Sequence, residues 1–366
     1  MRIAIFHELD SGGARRAVFE FSKRLNKLFE VDLYYVDEKM DKDIEKHINK
    51  AFYYSFYPKK WEGNNWRIRL YKDTIELCNL YRLHRKIASD IKSKKYDYIF
   101  VHPSKFTQAP FLLRLLKSCI YYCQEPLRII YDSSISSNIK DISFPKNLYE
   151  FLNRRLRKWI DSESLRNASI ILANSNYSKE LIYKSYGRKA AVCYLGVDVN
   201  LFKPQNLKKT IDVLFIGNKD NGYNLLNKLP EIPANKINIR AIFREDGKLS
   251  VSDTELVEIY NKSKVLVALN HNEPFGLISL EAMACGIPVI AVGEGGYNES
   301  IINNKTGFLI SRNPDQLYAK INLIVNNEKL RNEMGKNDRE NILKNWTWDK
   351  SVNRFLKIIK YEKYKD

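Results

Sequence analysis

The chain has 366 residues, 44% of them hydrophobic, with 61 Lys and Arg against 43 Asp and Glu, a net charge of +18. That length exceeds one ordinary hydrophobic core and predicts two domains, and the composition excludes an extended disordered chain. No apolar run approaches the ~20 residues that span a bilayer, MRIAIFHELD is too short and too soon charged for a signal peptide, and the five cysteines form no C-x-x-C pair, so a reduced cytoplasmic protein without disulfides or zinc is expected.

Arg2 to Leu9 reads as a buried strand, Ser11-Gly12-Gly13 as a tight turn, and Ala14 to about Phe29 as a helix with Ala17, Val18, Phe21, Leu25 and Leu28 on one face. Paired glycines between a first strand and a first helix let a ligand approach the backbone. Val31 to Val36 is a second strand. Residues 51–72 place aromatic rings among Lys59, Lys60, Arg67 and Arg69. That mixture suits an anionic membrane interface, single-stranded nucleic acid, or an insertion folded onto its own domain. Tyr96 to Val101 is a strand with His102 at its carboxyl end. Ile120 to Cys123 is another and leads into Gln124-Glu125-Pro126-Leu127-Arg128. The amphipathic segment Lys146 to Arg166 carries Arg154, Arg155, Arg157 and Lys158 with no acid among them. Ala168 to Ala173 is a strand, Asn174 and Ser175 cap a helix, and Gly196-Val197-Asp198 opens a linker. Residues 1–200 hold 36 basic and 23 acidic side chains, so this half carries most of the excess charge.

Beyond the linker, Asp212 to Ile216 is a strand ending at Gly217, followed by Asn218-Lys219-Asp220-Asn221-Gly222. Lys264 to Asn270 is a further buried strand. Pro274 and Gly276 then break the chain, Leu277 to Cys285 forms a helix closed by Gly286, and Ile287 to Val292 is the next strand. In a parallel sheet, ligands bind beyond the carboxyl ends of strands. The first helical N–H groups here, from Phe275 to Ile278, lack intrahelical partners and suit a phosphate. Gly276 lets an anion reach the backbone. Glu281 lies one turn into the helix, at the edge of its apolar face, where it can accept from a ribose diol. Glu273 stands on the loop, where it can meet a second ring. Asn313, Pro314 and Gln316 read as N-cap, first helical residue and capping-box partner, starting a helix to about Val325; another runs from Glu328 to Lys344.

Taken together, E-P-F-G-L-x-x-L-E-A-M-A-C-G-x-P-V, then G-G-x-x-E at Gly295 to Glu299 and T-G-F-L at Thr306 to Leu309, resembles the donor-site block of retaining glycosyltransferases of the GT-B fold, and within them glycosyltransferase family 4. Glu273 and Glu281 match the family's E-x7-E. SGGARR resembles its G-G-A-x-R entry, and Tyr96 to His102 its D-x-x-x-x-H. Gln124 to Arg128 resembles H-E-P-P-R, with Gln124 and Leu127 in place of His and Pro. Asn218 and Asn221 stand where the family carries Arg and Lys. Lys219 is the only cation between Gly217 and Gly222, with Arg240 or Arg244 as substitutes.

The resemblance implies an α/β fold of the GT-B type, two Rossmann-like domains facing a cleft. Residues 1–200 would form an acceptor-binding domain and 201–345 a nucleotide-sugar domain, with 346–366 as a C-terminal helix crossing back to the first. The implied activity moves a sugar from a UDP- or GDP-linked donor to a hydroxyl of a glycan or lipid-linked acceptor, with retention, no metal and no cofactor. Glu273 and Lys219 are the expected catalytic residues. Gly12, Gly13, Phe275, Gly276, Leu277, Glu281 and Arg244 are expected to bind donor, and His102, Gln124 and Glu125 to lie on the acceptor side. An anionic membrane surface is a candidate partner and would make the protein peripheral on the cytosolic face. The alternatives are a nucleic-acid-binding protein, which leaves the E-x7-E block without purpose, and a catalytically weakened nucleotide-sugar-binding protein.

Overall fold

The structure is a computed structural model that describes residues 1–37, 42–57, 66–131, 144–219, 221–229, 237–245 and 248–363. It divides into two compact units. Met1–Ala173, Lys179–Val192 and Ile358–Asp366 form one, and Asn174–Ser178 with Cys193–Lys357 form the other. Residues 193–200, which the sequence places with the first domain, thus group with the second. Val197 N–H donates to Trp346 O at 2.8 Å and Cys193 Sγ to Ser351 O at 3.6 Å, so this stretch is tied to the C-terminal segment of its own unit.

The first unit is built on seven strands, β1 (Arg2–Glu8), β2 (Glu30–Asp37), β3 (Lys50–Ser55), β4 (Tyr98–Ser104), β5 (Cys119–Tyr122), β6 (Ala168–Ala173) and β7 (Ala191–Val192). They lie in the order β3-β2-β1-β4-β5-β6-β7, each pair parallel. β1 is buried on both faces from Ile3 to Glu8, which is why its IAIF is apolar without alternation. The first helix starts at Gly12 itself and closes at Leu25, shorter at its carboxyl end than the apolar pattern predicts.

Residues 51–72 resolve partly in favour of packing. Phe52 on β3 stacks on Tyr34 at 4.6 Å, with Lys94 Nζ 4.0 Å above its ring, and Tyr54 and Phe56 pack on the core. An edge strand needs cover, and here its own rings supply it. Lys59 and Lys60 lie outside the described residues, as do the side chains of Arg67 and Arg69.

The second unit contains β8 (Ile211–Gly217), β9 (Ile239–Glu245), β10 (Lys248–Leu249), β11 (Ser263–Ala268), β12 (Val289–Val292) and β13 (Gly307–Ile310). Their order is β10-β9-β8-β11-β12-β13, parallel except for β10 against β9. The helix Leu277–Ala284 ends in a Schellman motif: Gly286 sits at φ +71°, its N–H donates to Met283 O, and Ile287 N–H donates to Ala282 O, both at 3.0 Å. Asn313 caps Pro314–Asn326 by accepting from Gln316 N. The Gln316 side chain reaches past the cap to Ser311, so the expected capping box does not close here. A reciprocal box does close at Ser252 and Glu255.

One buried group opposes this fold. Asp338, on the helix Glu328–Asn345, is fully enclosed and neither carboxylate oxygen has a partner among the described residues. Burial raises its pKa well above the ordinary carboxylate value. The folded chain keeps this proton while the unfolded chain releases it above about pH 4, so stability is lost as pH rises from there toward the folded pKa. Asp338→Leu is expected to raise Tm by several degrees at neutral pH, and by less near pH 4. A melting-temperature increment that does not grow between those pH values contradicts this account.

Candidate active site

The site residues of the second unit gather at the carboxyl ends of β8, β9, β11 and β12, where a parallel sheet presents loops and helix N-termini. β11 leads into the loop 269–276, and Gly276 turns the chain into the helix Leu277–Ala284 with φ +90°. A Cβ at Gly276 meets the buried ring of Tyr297 at 2.6 Å, so both backbone angle and space call for glycine. The helix has no acidic residue in its first turn, and the potential at its N-terminus stays positive.

The loop is held rigidly. Arg312 pairs with Glu294 through two contacts, at 2.7 and 2.8 Å, and donates to Leu269 O at 2.9 Å and Asn270 O at 3.1 Å. Burial works against the charge on Glu294, yet the Arg312 pair outweighs it and leaves that carboxyl below its ordinary pKa. Gly296 N–H donates to Glu273 O at 2.8 Å. Asn221 Oδ1 accepts from His271 N at 2.7 Å. Asn221, read from sequence as a missing cation, is therefore a pin for this loop.

Glu273 is partly exposed and accepts from Asn270 Nδ2 at 3.0 Å. Glu281 differs from expectation: it is 3% exposed rather than at an edge, and accepts from Tyr260 Oη at 3.0 Å. The cause is that the short helix packs on β11 and β12 and also beneath the helix Glu328–Asn345. Lys219 is exposed, two positions past the end of β8.

Strand register separates the two arginines proposed as substitutes. Phe243 of β9 pairs with Gly217, so Arg244 lies one residue beyond the end of β8; Arg240 opposes Leu214, well inside the sheet. Tyr297 carries the imprint of the surrounding charge. Burial first, then Glu273, push its phenol well up, while Arg244 and Arg312 pull it down. Arg244 Nε, Asn270 Oδ1 and Ser279 Oγ are buried and lack partners among the described residues. Native structures leave few such atoms, and these three around one loop are open to bonding by water or by another polar group.

Sequence reasoning assigned no role to Arg312, Glu294, Asn270, Ser279 or Tyr297. Glu299, quoted in the G-G-x-x-E motif, accepts from Asn176 N, Tyr177 N and Tyr194 Oη at 2.9, 3.0 and 2.9 Å. It fastens the segment Asn174–Ser178, where Ser175 Oγ also donates to Pro274 O at 2.6 Å. The paired glycines Gly295 and Gly296 were the available signal, since a Cβ at either would meet the backbone of Glu273, Pro274 or Phe275.

In the first unit, Gly12 is exposed with φ +86°, Gly13 follows it, and Ser11 makes no side-chain cap bond, so this helix N-terminus is open. His102 is fully buried, 4.4 Å from the Phe100 ring centre and 5.7 Å from that of Tyr122, and neither ring nitrogen has a partner among the described residues. Burial, with His7 second, pushes its pKa well below the ordinary value, so the ring is neutral. Gln124 is almost buried; Glu125, 3.8 Å from Arg128, is partly exposed.

The two parallel-sheet Rossmann-like units match glycosyltransferases of the GT-B type in fold. A sucrose-phosphate synthase from Thermosynechococcus elongatus superposes with a TM-score of 0.70 at 16% identity, covering 100% of both chains. HepE of Anabaena, solved in complex with UDP, gives 0.65 at 15% identity over 99% of this chain and 100% of its own. The family description Glycosyltransferase Family 4 matches residues 11–201, and Glycosyl transferases group 1 matches residues 246–341. The chain belongs to glycosyltransferase family 4. An uncharacterized glycosyltransferase of Methanocaldococcus jannaschii is 28% identical over 89% of this chain and 92% of its own length. A probable sucrose-phosphate synthase of Thermosipho melanesiensis is 37% identical over 32% of this chain and 28% of its own.

Proposed function

We propose that this glycosyltransferase moves a sugar from a UDP- or GDP-linked donor to an acceptor hydroxyl, with retention and without a metal. The observation that carries this reading is the group of orphaned polar atoms, Arg244 Nε, Asn270 Oδ1 and Ser279 Oγ, around an acid-free helix N-terminus. HepE, which shares the fold, was crystallised with UDP and with UDP-glucose, which supports a nucleotide-sugar donor. The amides at Phe275, Gly276 and Leu277 and the Arg244 guanidinium neutralise the diphosphate as it departs, the part a metal plays elsewhere. Glu281, oriented by Tyr260, holds the ribose diol, and Glu273 meets the donor sugar. Lys219 adds charge from the exposed loop. Gly12 and Gly13 serve the donor diphosphate, and Gln124 and Glu125 the acceptor, with His102 supporting them from within the core.

Glu281→Ala is expected to weaken binding of the cognate nucleoside diphosphate about tenfold to a hundredfold, since a charged acceptor is worth ~1.5–3 kcal/mol per bond. Glu273→Gln is expected to retain nucleotide affinity and lose turnover. Calorimetric titration with UDP and GDP, followed by turnover of the matching nucleotide sugar in chelator, tests both. Unchanged affinity in Glu281→Ala removes it from the site, and a reaction abolished by chelator or giving the inverted product contradicts the mechanism.

For the acceptor, the outer face of the helix Lys146–Arg166 favours a membrane. Leu148, Phe151, Leu152, Leu156 and Trp159 are all at least 40% exposed, and Phe144 just before the helix is 76% exposed. Arg155 lies over Phe151, Lys158 over Tyr131, and Arg114 4.6 Å from the Trp159 ring centre. Arg157, counted from sequence among the surface cations, instead pairs with buried Asp73. An apolar stripe flanked by cations is the pattern of a helix lying in a lipid interface, and each added cation near an anionic leaflet contributes ~1 kcal/mol. This supports an acceptor carried on or near the cytosolic leaflet. Cosedimentation is expected with anionic but not neutral vesicles, lost in high salt and in Leu152→Glu/Trp159→Glu. Equal recovery without vesicles, or retention by the double variant, rules this surface out.

A further inference from the structure

The second unit holds another recess, at the end of the helix Leu277–Ala284 away from Gly276. A cavity of about 480 Å3 opens there, lined by Lys209, Arg331, Lys336 and Arg339 against one carboxylate, Glu340, with the Cys285 thiol in its wall. Among the described residues none of the four cations has a carboxylate partner. Three are instead fixed by neutral carbonyls. Lys209 Nζ donates to Asn261 O at 2.8 Å, Arg331 Nη1 to Ile324 O at 2.9 Å, and Arg339 to Phe202 O and Ala284 O at 2.8 and 2.9 Å. Such bonds hold positive groups in place without cancelling their charge. Burial, and then the neighbouring Arg331, lower the Lys209 ammonium to about 8.

We propose that this recess binds the phosphate monoester of a small molecule or of a lipid headgroup, as a site separate from the donor seat. A dianion supplies the charge the four cations lack, and charge-assisted bonds from pre-positioned Lys and Arg are the strong ones. The volume exceeds that of a bare phosphate and leaves room for the body of an ester against the apolar part of the wall. A helix of eight residues, roughly 12 Å long, separates this end from Gly276, too far for one phosphate to occupy both.

The test titrates the full chain with ribose 5-phosphate and sediments it with phosphatidate vesicles, for the wild type, Lys336→Glu, Lys209→Met and Arg244→Ala. Lys336 is exposed and has no ion-pair partner among the described residues, so its reversal leaves the fold intact, and melting temperatures verify this for each variant. The wild type and Arg244→Ala are expected to bind one of the two probes alike, while Lys336→Glu and Lys209→Met lose about tenfold or more. Dependence on these lysines with the dissolved ester marks a soluble ligand, and with vesicles alone a lipid headgroup; either supports the site. No binding of either probe, or binding lost in Arg244→Ala and kept in Lys336→Glu, overturns it.

Discussion

Arg244→Ala is expected to lower kcat by about 10²- to 10³-fold at saturating donor, with a much smaller change in the donor KM. In the proposed reaction, negative charge accumulates on the leaving diphosphate as the sugar becomes oxocarbenium-like, so a cation at that point acts more strongly on the transition state than on the bound donor. Removing one fixed donor from such a site costs about 2.7–4 kcal/mol. The position follows from register: Arg244 stands one residue past the Gly217–Phe243 pair, at the carboxyl edge, partly buried and close enough to Tyr297 to shift its phenol. Lys219 is exposed to water on a loop, where solvent screens its charge, so Lys219→Ala is expected to cost less. Steady-state kinetics of both variants decides the matter. A larger loss in Lys219→Ala transfers the role to that lysine, and wild-type rates in both return it to the backbone amides alone.

Gly276→Val is expected to abolish detectable donor binding and to lower Tm. At φ +90° a β-branched residue is strained, and its Cβ lies 2.6 Å from Tyr297 Cε1 before any methyl is added. Tyr297 is 3% exposed and cannot swing into solvent, so the helix N-terminus must move instead. That displaces the amides offered to the diphosphate. Gly276→Ala is expected to show the same effects more weakly. Gly276→Ala/Tyr297→Ala separates the two causes, because it clears the space and leaves the backbone strain. Donor affinity recovered in the double variant assigns the loss to crowding. Wild-type affinity and Tm in Gly276→Val remove this turn from the site.

Much of this protein is legible without coordinates. Apolar runs such as IAIF and KVLVAL read as strands because both faces of a parallel sheet are buried and nothing in them needs to alternate. The Schellman end of Leu277–Ala284 and the left-handed turn at Gly276 are local, set by glycine's access to positive φ within a few residues. The pairing of Glu273 with Glu281 comes from the resemblance to the family's E-x7-E. Tertiary structure alone decided which arginine reaches the strand ends, because Arg240 and Arg244 share one strand and only its register against β8 separates them. It also showed Asn221 to be a pin for the loop at His271, and enclosed Glu281 beside Tyr260 where the helical pattern had put it at an edge. Local pattern records the free energy of a residue against its own turn or strand. Burial, register and cross-loop hydrogen bonds depend on chain brought together from about twenty to fifty positions away, and a single sequence carries no direct trace of them.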